Sequence, residues 1–348
     1  MPSEDVIRLR IGVDAMGGDY APEAPVRGAI MAIEACRDLS ITLVGDESSI
    51  DQHLGSYRDH PQISVLPTTE VIAMEDEPVA AVRNKRHSSM VEAMHALKVG
   101  TVDAVVSAGN TGALMASGLF YLGRMGGVDR PALTALFPSV KSWGVLLLDV
   151  GANLDPKPVH LVQYALLGAL YCQEALDIAR PKVGLLNVGT EAQKGPKSIQ
   201  EAYRRLSQFD AIEFVGNVES RELLQGKADV VVCGGFVGNI ALKLTEGVAR
   251  DLFHEIRAAF NASWLTRIAG LAVRPKLRKL VRAMDYQATG GAPLLGLDGI
   301  VYKCHGSSEA RAFHSALKMA RSYIERNSHQ RIRERLAVER LSLGEGES

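Results

Sequence analysis

In Ala104-Val-Val-Ser-Ala-Gly-Asn-Thr-Gly112 a short apolar run ends in a polar, glycine-bearing turn, and a helical pattern follows. A run without polar alternation is how a strand covered on both faces reads. The same succession predicts strands at Ile7–Asp14, Ile41–Gly45, Ile63–Leu66, Gly144–Asp149, Val183–Asn187, Ile212–Val215, Val230–Cys233 and Gly299–Lys303. Strands alternating with helices form βαβ units, so the expected fold is α/β: three layers, α/β/α, around a mostly parallel sheet. Helix starts are signalled by Ser89-Met-Val-Glu92 and Ser198-Ile-Gln-Glu201, which fit a capping box, and by Pro22, Pro78 and Pro158.

The 348 residues suit two modules or one large α/β unit. Thirty-nine basic and 40 acidic side chains leave a net charge of -1, without the uniform basic field of a dedicated nucleic-acid binder, so no nucleic-acid partner is expected. Cys36, Cys172, Cys233 and Cys304 lie far apart, which argues against a disulfide framework and a thiolate zinc site and fits a reducing cytoplasm. The start, Met1 to Arg10, is acidic and then alternating, unlike a signal peptide. No apolar run approaches the roughly 18 residues that span a bilayer, so a membrane is met only from its surface. Residues 343–348 lack anything to bury and are expected to be a disordered tail.

In an open parallel sheet, ligands bind outside the carboxyl ends of the strands. The segments there are alike: Asp14–Asp19, Ser107–Gly112, Asp149–Asn153, Asn187–Glu191, Gly216-Asn217, Gly234–Asn239 and His305–Ser308. Each alone is ordinary turn chemistry, because Gly and Asn tolerate positive φ. Their recurrence points instead to backbone amides and helix N-termini converging on an anion. Lys194 and Lys197 follow one such loop, and Lys303 with His305 follow the last strand, supplying cations or proton donors. There is no G-x-G-x-x-G, P-loop, H-E-x-x-H or G-x-S-x-G, which weakens nucleotide, metal-hydrolase and acyl-serine readings; no cofactor and no metal are expected.

From Arg257 to Met284 the chain has no acidic residue. Phe260, Trp264, Ile268 and Leu271 fall at helical spacing, Pro275 interrupts, and Leu277, Leu280, Val281 and Met284 form a second stripe. Two amphipathic helices meeting at Pro275 are expected as a projection over about 255–286. Its stripes either pack on the core or a second subunit, or, with Arg274, Lys276, Arg278, Lys279 and Arg282, they meet an anionic membrane surface or an acidic protein.

Taken in order, Val13-Asp-Ala-Met-Gly-Gly-Asp-Tyr-Ala-Pro22, Ser107–Ala113, Asp149–Asn153, Leu186–Glu191 with Lys194-Gly195, Gly290–Leu297 and His305–Ser308 resemble the bacterial phosphate acyltransferase family of phospholipid synthesis. The likeness runs from Ile11 to about Tyr323. It implies a fold like that of phosphotransacetylase and isocitrate dehydrogenase, a single unit over 1–342 of two intertwined lobes, and a homodimer. It also implies a cytoplasmic enzyme that visits the membrane and makes acyl phosphate from acyl-acyl carrier protein and inorganic phosphate. That product would pass to a membrane glycerol-3-phosphate acyltransferase. Where the family usually has Asp-Gly-Phe, this chain has Gly234-Gly-Phe236, so no site is carried over to Gly234.

The resemblance gives the loops roles. Phosphate is already a nucleophile, so attack on a thioester needs positioning, an oxyanion site and help for the departing thiolate. Amides around Gly17, Gly18, Asn110, Thr111 and Gly112 are expected to hold phosphate. Asn187, Thr190, Lys194 and Asn239 are expected to polarise the carbonyl or the phosphate, with Asn153, Gly189 and Asn217 completing the binding loops. Asp14 and Asp149 would orient loops, because a carboxylate repels phosphate. His305 or Lys194 is the candidate proton donor to the thiolate. The alternatives are a phosphotransacetylase using coenzyme A, a dehydrogenase of the same fold group, and a non-catalytic adaptor that recruits a partner to the membrane.

Overall fold

The computed structural model describes residues 9–139, 144–264, 266–268, 270, 273 and 290–342. The first half of the chain forms β1 (Leu9–Asp14), α1 (Glu23–Ala35), β2 (Leu39–Gly45), α2 (Glu47–Leu54), β3 (Ile63–Pro67), α3 (Pro78–Asn84), α4 (Ser89–Lys98), β4 (Ala104–Ser107) and α5 (Thr111–Tyr121). Then come β5 (Ala132–Phe137), β6 (Val145–Leu148), α6 (Pro158–Leu176), β7 (Lys182–Asn187), α7 (Lys197–Leu206), β8 (Glu213–Glu219), β9 (Val230–Val232) and α8 (Gly235–Asn261). The chain closes with β10 (Ala292–Leu295), β11 (Val301–Lys303), α9 (Ala310–Glu325) and α10 (Ser328–Ser342).

All eleven strands belong to one sheet in the order β3-β2-β1-β4-β11-β10-β5-β6-β9-β7-β8. β1 to β4 and β11 are mutually parallel, as are β6 to β9. Between these halves, β10 is antiparallel to both β11 and β5, and β5 is antiparallel to β6. The two parallel halves therefore point in opposite directions.

Alternate residues of the strands enter different cores, which explains their continuous apolar runs. Ile11, Val13, Ala104 and Val106 pack against α1 and α9, whereas Val105 joins Met90 and Met94 of α4. In the other half Leu146 and Leu148 pack against α6, while Val145 and Leu147 face the opposite layer. β5 and β10 are not among the expected strands. Alanine and leucine favour helix, and Pro293 removes a ladder donor from the short β10, so neither segment announces itself. Their burial at the centre of the sheet decides the matter.

Three local expectations are corrected. α4 is capped at Ser88, and the Ser89 hydroxyl donates to Asp14 instead of closing a capping box. α7 begins after Pro196 without a side-chain cap, and Glu201 pairs with Arg204 and Arg205. Phe260 and Trp264 do not share one continuous helix: α8 ends at Asn261, and Ser263 and Thr266 exchange hydrogen bonds from each backbone amide to the other's hydroxyl, restarting helical structure at Trp264. Arg274, Lys276, Arg278, Lys279, Arg282, the break at Pro275 and the 343–348 tail lie outside the described residues.

Candidate active site

A cleft of about 490 Å³ lies where the sheet reverses direction. Its walls are Asp19, Met74 and Thr111 from the first half, Leu133–Leu136 of β5, Val150 and Gly151, the α8 residues Asn239, Leu242, Lys243 and Glu246, and the segments 290–292 and 303–308. Three of the expected site residues, Thr111, Asn239 and His305, line it directly.

Lys303 ends β11, following the buried Val301 and Tyr302, and is itself only 8% exposed. Its ammonium donates to the carbonyls of Ala108, at 3.2 Å, and Cys304. Both acceptors are neutral, and no carboxylate among the described residues forms an ion pair with it. Burial lowers its pKa to about 8, against the opposing pull of the neighbouring Cys304, Asp14 and Asp19. A buried charge short of counter-charge is costly, and an anion in the cleft would relieve that cost. The adjacent Cys304 is pushed up to about 12 by burial, so its thiol stays protonated.

His305 follows at once. Its Nδ1 accepts from the Ser307 amide at 3.2 Å and lies 2.8 Å from the Ser307 hydroxyl. Across the cleft, Nε2 is 3.9 Å from Glu246, whose side chain is 17% exposed. Burial holds the imidazole below its ordinary pKa, Lys303 and Lys243 lower it further, and Asp19 opposes them. Burial raises the Glu246 carboxyl, with Lys243 opposing.

The loops behind the cleft are tied together by buried carboxylates. Asp14 accepts from Ser89 Oγ at 2.6 Å, Ser107 Oγ at 2.7 Å and the Met16 amide at 3.2 Å. Burial raises its pKa, and those hydroxyls and that amide counteract it. Gly17 must be glycine for the closeness of this packing: a Cβ there would sit 2.6 Å from Asp14 Oδ2 and from the Gly109 amide nitrogen. Gly18 lies against Ala108 and Gly306, and the Asp19 amide donates to the Gly306 carbonyl at 2.8 Å. Asn110 caps α5 through the Ala113 amide and donates to the carbonyls of Met74 and Asp76, so its side chain is committed to holding 74–76 over the helix start. The amides of Thr111 and Gly112 open α5 and have no intrahelical acceptor.

Asp149 accepts from the amides of Leu133, Gly151, Ala152 and Asn153, which folds its own loop around it. Asn153 turns away from the cleft. It donates to the Pro131 carbonyl at 2.7 Å and lines a separate cavity of about 610 Å³ with Arg124, Arg130 and Lys157.

Asn187, Gly189, Thr190, Lys194 and Asn217 do not line the cleft. They gather at the ends of β7 and β8, where Asn187 Nδ2 donates to the Lys194 carbonyl at 2.9 Å and Asn217 Nδ2 to the Glu191 carbonyl at 2.8 Å. β7 and β8 stand furthest from β10 and β5 on this side of the sheet, whereas Val150, Gly151 and Asn239 follow the nearer β6 and β9. Lys303 was read from the sequence as a cation at the end of the last strand, and the structure places it at the wall of the cleft. Lys243 and Glu246, which sequence reasoning passed over, had only their helical spacing from Asn239, which does not reveal the face that meets the cleft.

The three-layer fold with a central cleft is that of the phosphotransacetylases. The chain superposes on a phosphotransacetylase from Streptococcus pyogenes with a TM-score of 0.60 at 17% identity, covering 92% of this chain and 96% of that one. A branched-chain phosphotransacylase from Enterococcus faecalis gives 0.58 at 15% identity, covering 91% and 99%. Residues 9–331 match the fatty acid synthesis protein family. The phosphate acyltransferase of Bacillus licheniformis is 47% identical over 94% of this chain and 98% of its own length, and that of Bacillus subtilis 47% identical over 95% and 99%. The chain belongs to this phosphate acyltransferase family and is an acyltransferase.

Proposed function

We propose that the protein transfers a long-chain acyl group from acyl carrier protein to inorganic phosphate, releasing acyl phosphate and free carrier in the acyl-phosphate route of phospholipid synthesis. The observation that carries this reading is Lys303, a buried ammonium held by neutral carbonyls at the wall of a cleft. Hydrogen phosphate supplies the missing counter-charge there, with the Thr111 and Gly112 amides at the start of α5 as further donors. Leu133, Leu136, Val150 and Leu242 give the same cleft apolar wall for an acyl chain.

A phosphate oxygen attacks the thioester carbonyl carbon, the carbon–sulfur bond breaks, and the proton carried by hydrogen phosphate ends on the departing sulfur. Binding both reactants in one cleft makes the attack effectively intramolecular. His305 holds the proton on its way to sulfur. Asn239 on the opposite wall faces the carbonyl oxygen as charge develops on it.

The reading extends to assembly. Val237, Ile240, Leu244, Val248 and Leu252 of α8 are all at least half exposed and recur at helical spacing, which suits a homodimer that buries them. Trp264 and Ile268, 69% and 60% exposed, suit contact with a membrane surface or the carrier, from which product reaches a membrane glycerol-3-phosphate acyltransferase. Among the described residues no helix is long and apolar enough to cross a membrane. The test is a phosphate-dependent assay with long-chain acyl-acyl carrier protein, following free carrier thiol and acyl phosphate together. Thiol released only with phosphate, matched by acyl phosphate, is expected; thiol release independent of phosphate, or turnover of coenzyme A thioesters alone, overturns the assignment.

A further inference from the structure

Resting on that reading, we infer that Ser307, His305 and Glu246 form a proton relay, in which the Ser307 hydroxyl exchanges protons with phosphate and the leaving sulfur while Glu246 positions His305. The three groups stand in line across the cleft. Ser307 Oγ lies 2.8 Å from His305 Nδ1, and Nε2 on the far side of the ring is 3.9 Å from the Glu246 carboxylate. Both Ser307 and Glu246 line the same cleft as Lys303. Carboxylate, imidazole and hydroxyl in sequence is an arrangement recognised by geometry and roles on unrelated folds.

The tautomer follows from the backbone. The Ser307 amide donates to Nδ1 at 3.2 Å, so at rest that nitrogen is the unprotonated one and Nε2 carries the hydrogen, facing Glu246. Nδ1 is therefore oriented to exchange a proton with Ser307. The surroundings of the ring favour this resting form: burial first, then Lys303 and Lys243, lower its pKa, Asp19 opposes them, and Glu246 is placed to steady the imidazolium once formed.

The steps balance. As phosphate oxygen bonds to the carbonyl carbon, the proton of hydrogen phosphate passes to Ser307 Oγ while the hydroxyl proton moves to Nδ1. As the carbon–sulfur bond breaks, Nδ1 returns a proton to Oγ and the hydroxyl gives one to sulfur. Serine and histidine end as they began, and no covalent acyl-serine forms. Ser307 is thus a catalytic residue, and Glu246 a positioning residue acting through His305.

Steady-state kinetics on Ser307→Ala, His305→Ala, Glu246→Gln and the double variants test the relay. Ser307→Ala is expected to lower kcat about 100-fold, the usual scale of lost acid–base help, with KM for phosphate changed less than threefold because Lys303 still anchors it. Ser307→Thr, which keeps the hydroxyl, should recover most of the rate. Ser307→Ala and Glu246→Gln should cost nothing further in the His305→Ala background, since residues acting as a unit are not additive. Additive losses, a wild-type rate for Ser307→Ala, or an acyl-serine ester trapped by mass spectrometry without phosphate would each overturn the relay. If wild-type protein shows no phosphate-dependent release of carrier thiol, the reading on which the relay rests fails as well, so the two failures are distinguished by the wild-type control.

Discussion

At the scale of single residues, Lys303 separates stability from function. A buried ammonium with neutral partners is tolerated by the fold, not required by it, and replacing such a charge by an apolar side chain of similar length is often neutral or stabilising. Lys303→Met is therefore expected to hold or raise Tm in a calorimetric scan while lowering kcat/KM for phosphate by about 100-fold, the scale of one lost transition-state donor. The pH dependence has a definite sign. The charged form binds phosphate, and burial puts its pKa at about 8. In the free enzyme kcat/KM for phosphate should fall as pH rises through that value, and Lys303→Met should lose this alkaline limb. An unchanged limb in the variant would assign it to another group.

At the scale of elements, the second half reaches the cleft through the start of α8. The Gly235 amide donates to the Asn153 carbonyl at 2.8 Å, and at Gly238 a Cβ would lie 1.9 Å from the Asp149 carbonyl oxygen. Glycine serves here for close approach of helix to loop. Gly238→Ala is expected to destabilise the protein by about 1–3 kcal/mol, the usual cost of overpacking, read as a lower midpoint in urea denaturation. It should also depress kcat, because Asn239 and Glu246 ride on the displaced helix. The sequence shows glycines in this segment but not which function they serve. Turn chemistry, anion binding and close packing all select glycine, and only the neighbour at 1.9 Å tells them apart. The same holds for strands: β1, β4 and β9 are legible because Val and Ile fill them, whereas β5 and β10 are written in Ala, Leu and Pro and are strands only because the core surrounds them.

At the scale of the molecule, those two strands matter most, since they reverse the sheet and stand between the two parallel halves whose loops line the cleft. That His305, Thr111 and Asn239 line the cleft was legible because each stands just beyond a strand or near the start of a helix. That β7, which ends at Asn187, stands one strand further from the cleft than β9 was not legible, because strand order is a tertiary property. α8 is buried only at its start, and beyond Gly238 none of its residues is fully buried among the described ones. Val237, Ile240, Leu244, Val248 and Leu252 then present a long apolar face that is at least half exposed among the described residues, a larger liability than scattered exposed side chains. A second copy is the occupant that the proposed homodimer supplies, by an interface in which each α8 meets its equivalent. Light scattering coupled to gel filtration should find twice the chain mass for the wild type. Leu244→Glu with Val248→Glu should give monomers, since two carboxylates at the centre of an apolar interface would be buried without partners. A wild-type monomer at micromolar concentration would assign that face to another partner.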